Sequence, residues 1–381
     1  MTDKNLRVLI TGGGTGGHIY PGIVIANEIL RLAPDAQIKF VGSSRGLEKT
    51  VVPRQGFEID FVDVQYFVRG FTPKNIVTAY KALTAILAAR RIIKKFKPDV
   101  VVGTGGYVSG PVVMAAALAK VPTLIHEQNA FPGLTTRLLA SRVSKVAVSH
   151  AEAVKRIKSG TKIVVTGHPV RREFLDIDAV QARQQMGLAP NGRLVLVVGG
   201  SGGAEKLNSV AVHSASSLLE NPDLILLHVT GNRYFNWVND EKRKLHLSAD
   251  AEQRYQLVDY LHDMPTAMAA CDLIVARSGG MVHEMTAAGC PALLIPSPNV
   301  TDDHQLHNAK AMAKAGAALL VEESNLTAEN LSEKIRALLD NPAELKRMAQ
   351  ATAKLGRPEA GHLLAKIIVK MSKETPTHPW G

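Results

Sequence analysis

The stretch Thr11-Gly-Gly-Gly-Thr-Gly-Gly-His18 decides the fold of this chain. It follows the apolar run at residues 6–10 and precedes an amphipathic run at 22–32, so strand, glycine turn and helix come in that order. Gly12, Gly14 and Gly17 match the pattern GxGxxG. Glycines let backbone amides approach a diphosphate closely, and the following helix turns its positive end toward the anion. A dinucleotide fold should end its second strand in an acidic residue that binds ribose. Here QIKFVG is followed by Ser43, Ser44 and Arg45, which disfavours NAD and leaves only NADP as a dinucleotide option. His18 stands where a triphosphate-binding loop requires lysine, so ATP or GTP hydrolysis is not expected.

Three more glycine turns follow apolar runs: TGGYVSG at 104–110, VVGGSGG at 197–203 and ARSGG at 276–280. Any one of them reads as a tight βα turn with no ligand. Their recurrence in both halves of the chain points to a phosphate-bearing ligand beyond the carboxyl ends of parallel strands. Strands are predicted at 6–10, 37–42, 58–64, 99–102, 123–127, 143–149 and 162–166. They begin again at 193–198, 223–230, 255–260, 273–276, 291–295 and 317–322. Helix-length stretches fill the gaps, which predicts two α/β halves built from βαβ units. Pro169 and the charges of GHPVRREFLDID, at 167–178, mark the junction. The sequence from 327 onward reads as helix, ending in the amphipathic run 361–371.

The chain has 381 residues, a formal charge of +11 and an apolar share of 46%, the composition of a folded protein with room for two domains. The charge is unevenly placed. Residues 1–169 hold 23 Lys+Arg against 10 Asp+Glu, whereas the remainder holds 22 against 24. Residues 64–98 contain eight basic side chains and no acidic one. Within them Phe67, Val68, Phe71 and Ile76 adjoin Arg90, Arg91, Lys94 and Lys95 as candidates for contact with an anionic membrane surface. Each basic side chain near such a leaflet contributes about 1 kcal/mol. Leu83 and Leu87 are expected to form the core face of their helix. Nucleic acid is disfavoured as the polyanion, since no base-stacking motif or recognition helix is present. No apolar run reaches the length of a spanning helix, so membrane contact is expected to be peripheral. Cys271 and Cys290 fit neither a disulfide framework nor a metal spacing, and a reducing compartment is expected.

Six segments together carry a closer resemblance: TGGGTGGHIYPG, VVGTGGYVSGP, LIHEQNAFPG, GHPVR, VVGGSGGAEKLN and IPSPNVTDDHQLHNA. In this order they resemble the MurG family of peptidoglycan glycosyltransferases. The resemblance implies a GT-B fold, two Rossmann-like domains facing a cleft, with a C-terminal helix crossing back to the first domain. It implies an acceptor- and membrane-binding domain at 1–168, a UDP-GlcNAc-binding domain at 169–355 and the returning helix at 356–381. The implied reaction moves GlcNAc from UDP-GlcNAc to the MurNAc 4-hydroxyl of undecaprenyl-diphospho-MurNAc-pentapeptide (lipid I), with inversion, to give lipid II. The implied place is the cytoplasmic face of the bacterial cell membrane, with proteins of cell-wall synthesis as further partners and with no cofactor.

Carried onto this sequence, Thr15, Gly16 and Gly17 belong to the first glycine loop and Asn129 contacts the donor sugar. Arg171 and Ser201 align with nucleotide and diphosphate contacts, Leu261 borders the uracil, and Glu284 and Gln305 align with ribose and sugar contacts. The RSGGMVHE turn is one residue shorter than the family's, and Met281 stands where a polar residue is usual. For the base that activates the acceptor hydroxyl, His18 and Glu127 are the candidates: a neutral imidazole accepts a proton near pH 7, and a carboxylate after a buried strand is uncommon unless paired or functional. Either has a structural alternative, His18 as a loop cap and Glu127 as the orienter of His126 or a loop amide. Asp176-Ile177-Asp178 is read as linker acidity, not as a metal site. A UDP-GlcNAc 2-epimerase of the same fold is the alternative function.

Overall fold

Strands β1 (Arg7–Gly12), β2 (Gln37–Gly42), β3 (Glu58–Phe61), β4 (Val100–Gly105), β5 (Thr123–Glu127), β6 (Lys145–Val148) and β7 (Lys162–Val165) form one parallel sheet in the order β3-β2-β1-β4-β5-β6-β7. A second sheet holds β8 (Arg193–Val198), β9 (Leu224–Val229), β10 (Tyr255–Val258), β11 (Leu273–Ala276), β12 (Ala292–Leu294) and β13 (Ala318–Leu320), ordered β10-β9-β8-β11-β12-β13. The computed structural model describes residues 5–65, 73–157, 162–200, 202–300 and 303–374, with backbone alone over 73–80. Every predicted strand is present. The central strands β1, β4, β5, β8 and β11 are buried almost throughout, as expected where helices cover both faces of a parallel sheet.

Two compact units result, Met1–Val170 with Arg357–Gly381, and Arg171–Gly356. In the first, sequence order reverses between β1 and β4, and in the second between β8 and β11. These are the topological switch points at which open α/β sheets bind ligands. All four glycine turns read from the sequence leave the carboxyl ends of these four strands.

The C-terminal helix Ala360–Lys373 belongs to the first unit. Its Leu364, Ala365, Ile368 and Met371 join one core cluster with Ile19, Ile23 and Ala26 of the helix Gly16–Leu32. Gly361 permits the close approach, since a Cβ there would stand 3.0 Å from Val24 Cγ1. The fold is therefore GT-B in its two parallel sheets and its returning helix. Asp178 caps the helix Ala179–Gln185, accepting from the Val180 and Gln181 amides at 3.0 Å, which gives the linker acid a local structural task.

One expectation is corrected. Leu83 and Leu87 are 63% and 57% exposed, not core. The helix Pro73–Phe96 instead buries Ala85, Ala89 and Ile93 against the side that carries Val108, Val112, Ala115 and Ala116. At 3.6 residues per turn this face lies opposite the leucines. Small alanines let the neighbouring helix approach, and a reading that weighs large apolar residues most chooses the wrong stripe.

Candidate active site

In the first unit the glycine turn between β1 and the helix Gly16–Leu32 is shaped by a buried acid that the sequence reading missed. Glu48 is fully buried; its Oε2 accepts from the Gly14 amide at 3.0 Å and its Oε1 from the Ser43 amide at 2.8 Å. A Cβ on Gly13, Gly42 or Gly46 would fall 2.1–2.5 Å from this side chain. The acid absent from the end of β2 thus appears a few residues on, turned inward to hold the loop. The only sequence signal is the glycines around it, which read more readily as ligand contacts. Thr15 begins the helix with extended backbone and stays exposed, while Gly16 and Gly17 are half-buried.

His18 lies in the first helical turn with its ring against the end of β4. A Cβ on Gly105, whose φ is +106°, would stand 2.5 Å from the imidazole Nδ1. That nitrogen lies 3.3 Å from the Thr104 carbonyl, and the Gln128 carboxamide abuts it as well. The Thr104 hydroxyl donates to the His18 carbonyl at 2.7 Å, fixing the backbone beneath the ring. The Thr104 carbonyl can only accept and the Gln128 amide nitrogen can only donate, so the two contacts call for opposite tautomers; together they fix the plane and position of the ring.

Glu127 ends β5 and is buried. Oε1 accepts from the Asn129 amide at 2.9 Å and its side-chain nitrogen at 3.3 Å; Oε2 accepts from the Gly133 amide at 2.9 Å and the Thr136 hydroxyl at 2.6 Å. Both oxygens are engaged in ordering the HEQNAFPG loop, and Asn129 is oriented by one of them. Phe131 in that loop lies under the guanidinium groups of Arg137 and Arg156 at 5.4 and 5.2 Å. His126 points the other way, to the Gly167 carbonyl at 3.2 Å, and burial pushes its pKa down to about 4.

In the second unit the glycine turn after β8 rests on a buried network. A Cβ on Gly203, whose φ is +73°, would fall 2.2 Å from the Thr230 carbonyl, which accepts from Asn208 Nδ2 at 2.9 Å. His228 lies between Asn208 Oδ1 and the Tyr255 hydroxyl, each 3.0 Å away, and burial lowers its pKa to about 3. Burial also pushes the Tyr255 hydroxyl well up. Ser201, in the same turn, lies outside the described residues.

Arg171 and Glu284 pair at 3.6 Å, each about a quarter exposed, and the guanidinium also lies 4.9 Å over the Phe174 ring. Burial raises the Glu284 carboxyl above its ordinary value, with Arg171 pulling it back. Gln305, in the first turn of the helix His304–Lys314, holds two turns together. Its carbonyl accepts from the Ser278 hydroxyl at 2.8 Å and its Oε1 from the Ser297 amide at 2.9 Å. It lines a cavity of about 560 Å³ with Gly199, Gly203, Lys206, Trp237, Arg277 and Glu323. Arg277 is fixed there by the Ile295 carbonyl at 3.1 Å and by the Glu323 carboxylate. Arg171, Leu261 and Glu284 are not in its lining; Leu261 is half-buried in the loop after β10. Neither Arg277 nor Trp237 was singled out from sequence: the arginine lay inside a quoted motif, and the tryptophan had no motif around it.

Of the membrane candidates, Phe67, Val68 and Phe71 lie outside the described residues, as does the side chain of Ile76. Arg90, Arg91, Lys94 and Lys95 are exposed on the helix Pro73–Phe96. No helix among the described residues is long and apolar enough to cross a membrane.

Comparison with known proteins agrees with this geometry. Residues 8–148 match the glycosyltransferase family 28 N-terminal domain, and residues 194–364 match the family's C-terminal domain. A relative from Thermoanaerobacter sp. (strain X514) is 44% identical over 95% of this chain and 99% of its own length; it is named UDP-N-acetylglucosamine--N-acetylmuramyl-(pentapeptide) pyrophosphoryl-undecaprenol N-acetylglucosamine transferase. The crystal structure of Acinetobacter baumannii MurG superposes with a TM-score of 0.75 at 30% identity, covering 96% of this chain and 100% of that one. A UDP-GlcNAc 2-epimerase from Neisseria meningitidis bound to UDP-GlcNAc reaches 0.66 at 16% identity over 96% of this chain and 100% of its own, a likeness of fold alone. With both halves of the domain pair matched and the sequence relationship running the length of the chain, this protein belongs to the MurG family within glycosyltransferase family 28.

Proposed function

We propose that this chain transfers GlcNAc from UDP-GlcNAc to the MurNAc 4-hydroxyl of lipid I with inversion, giving lipid II, and that His18 is its general base. The observation that carries the second part is the position of His18 in the first helical turn after the β1 glycine loop, its ring held through Nδ1 against the end of β4. The imidazole takes the proton of the acceptor hydroxyl as that oxygen bonds to the anomeric carbon and UDP departs. Glu127, with both oxygens already accepting, positions the loop that presents Asn129 to the donor sugar.

In the first unit the amides of Thr15, Gly16 and Gly17 face the acceptor diphosphate. In the second, Arg171 and Ser201 serve the departing diphosphate, Leu261 borders the uracil, Glu284 binds the ribose and Gln305 the sugar. Arg171 and helix N-termini supply the positive field against the charge that develops on the leaving group. The reading needs no metal and no cofactor.

Peripheral attachment to the cytoplasmic leaflet is part of the same proposal, and the exposed face of the helix Pro73–Phe96 supports it. Leu83, Leu87, Arg90 and Lys94 recur at helical spacing on one side, apolar groups beside cations. Phe67, Val68, Phe71 and Ile76 precede them in sequence and are assigned to the same membrane contact by the sequence pattern alone, together with Arg91 and Lys95. Proteins of cell-wall synthesis would meet the chain at that membrane.

The test is incubation of the purified protein with UDP-GlcNAc and a lipid I analogue. UDP release that requires the acceptor, with a disaccharide product, supports the assignment. Formation of UDP-ManNAc without acceptor would replace it with the epimerase reading.

A further inference from the structure

The two cysteines lie far apart from the chemistry above in sequence role, yet the second sheet brings them together. Cys271 ends the helix Met264–Ala270 and leads into β11. Cys290 follows Gly289, the left-handed cap of the helix Met281–Ala288, and leads into β12. Because β11 and β12 pair in parallel with Ile274 opposite Ala292, both cysteines stand at the amino ends of neighbouring strands. Their Sγ atoms are 3.0 Å apart, about 1 Å more than a disulfide bond of roughly 2.05 Å. Cys271 is half-buried and Cys290 buried, so a small reagent meets Cys271 first.

We propose that Cys271 and Cys290 form a reversible modification site that closes to an intramolecular disulfide when the protein meets a low-molecular-weight disulfide such as oxidised glutathione. In the first step the Cys271 thiolate attacks one glutathione sulfur, forming a mixed disulfide and releasing one glutathione thiolate. Cys290 then gives up its proton and attacks the Cys271 sulfur, releasing the second glutathione. Two protein thiols are oxidised and one glutathione disulfide is reduced to two thiols, so atoms and electrons balance. The first step is slow near neutral pH, because the neighbouring Cys290 thiol and burial both hold the Cys271 thiol well above its usual range. The second is fast by proximity, since the attacking sulfur is already in contact.

The bond would enclose residues 271–290, the segment carrying β11, Arg277, Ser278 and Glu284. It forms at the amino ends of the strands, whereas the glycine turn leaves the carboxyl end of β11, so the site's geometry is kept and turnover is retained within about twofold. Restricting the unfolded chain in this way raises the thermal midpoint of the second unit by about 5–10 °C.

The experiment treats the full-length protein with oxidised glutathione and reads intact mass, free thiols in denaturant, and peptides mapped without reduction. The expected product is a monomer lighter by two hydrogen atoms, with no free thiol, a peptide pair linked through Cys271 and Cys290, a raised thermal midpoint and full reversal by dithiothreitol. In Cys290→Ser, Cys271 should keep one glutathione that the wild type does not retain. Unchanged mass, a lasting glutathione adduct on the wild type, or disulfide-linked dimers would each overturn the proposal. The wild-type mass alone decides the matter should the variant fail to fold. These readouts do not depend on glycosyl transfer, so they stand apart from the proposed function.

Discussion

Replacing Glu127 by glutamine separates the two candidates for the base. The substitution keeps the shape of the side chain and one acceptor oxygen, and turns the other into an amide nitrogen. On one side of the native carboxylate are the Gly133 amide and the Thr136 hydroxyl, on the other the Asn129 amide and side chain. Whichever way the new amide turns, its NH2 faces a backbone N–H that cannot accept. A buried donor left without its acceptor costs about 1–3 kcal/mol, and the remaining bonds lose their charge assistance. A total of about 3 kcal/mol is expected in Glu127→Gln. For a unit of this size that lowers the thermal midpoint by about 6–12 °C. The loop holding Asn129 loosens, and turnover falls about tenfold while the acid limb of its pH profile stays in place, because His18 still takes the proton. Differential scanning calorimetry and turnover measured from pH 5 to 9 make the comparison. A stable Glu127→Gln protein whose acid limb has vanished would refute this reasoning and assign the proton transfer to Glu127.

His18→Ala should lower kcat by about 100- to 10,000-fold with the KM for UDP-GlcNAc nearly unchanged, checked by acceptor-dependent UDP release; near wild-type kcat would remove His18 from the role of base. Acid should weaken both units, because His126 and His228 are held neutral with pKa values of about 4 and 3 against 6.5. The unfolded chain then binds more protons below pH 6.5, so stability is full above that value and declines as pH falls toward 4. Between pH 7.5 and 5 each histidine costs about 2 kcal/mol, which urea midpoints at the two pH values measure; equal midpoints would contradict it. Leu83→Glu with Leu87→Glu should leave the thermal midpoint within about 2 °C, since both side chains are exposed, yet abolish flotation with vesicles containing anionic lipid. Undiminished flotation would move the membrane contact elsewhere.

The strands were legible because parallel strands covered on both faces are written as unbroken apolar runs such as Leu194–Val198 and Leu273–Ala276. The switch points were partly legible, since each of their four strands runs into a glycine turn. What escaped depends on contacts between distant segments. Glu48 holds a loop more than thirty residues earlier in the chain, and nothing near it in sequence announces the partnership. The burial of Ala85 and Ala89 in place of Leu83 and Leu87 reflects how closely a neighbouring helix approaches, a fact periodicity does not encode. Arg277 and Glu323 meet from the ends of two strands that are not adjacent in the sheet, and only the fold brings them to one cavity.

The return of the helix Ala360–Lys373 to the first sheet also sets an order on the ribosome. Residues 1–170 are made before the side chains of Leu364, Ala365, Ile368 and Met371, which seal Ile19, Ile23 and Ala26. The intervening segment 171–356 is continuous and holds its whole core by then. The first unit to be translated is thus the last to be completed, and its apolar helix stays uncovered through the synthesis of the second. A chain cut short before residue 360 would carry that uncovered surface permanently, a mark by which quality control can tell an unfinished protein from a finished one.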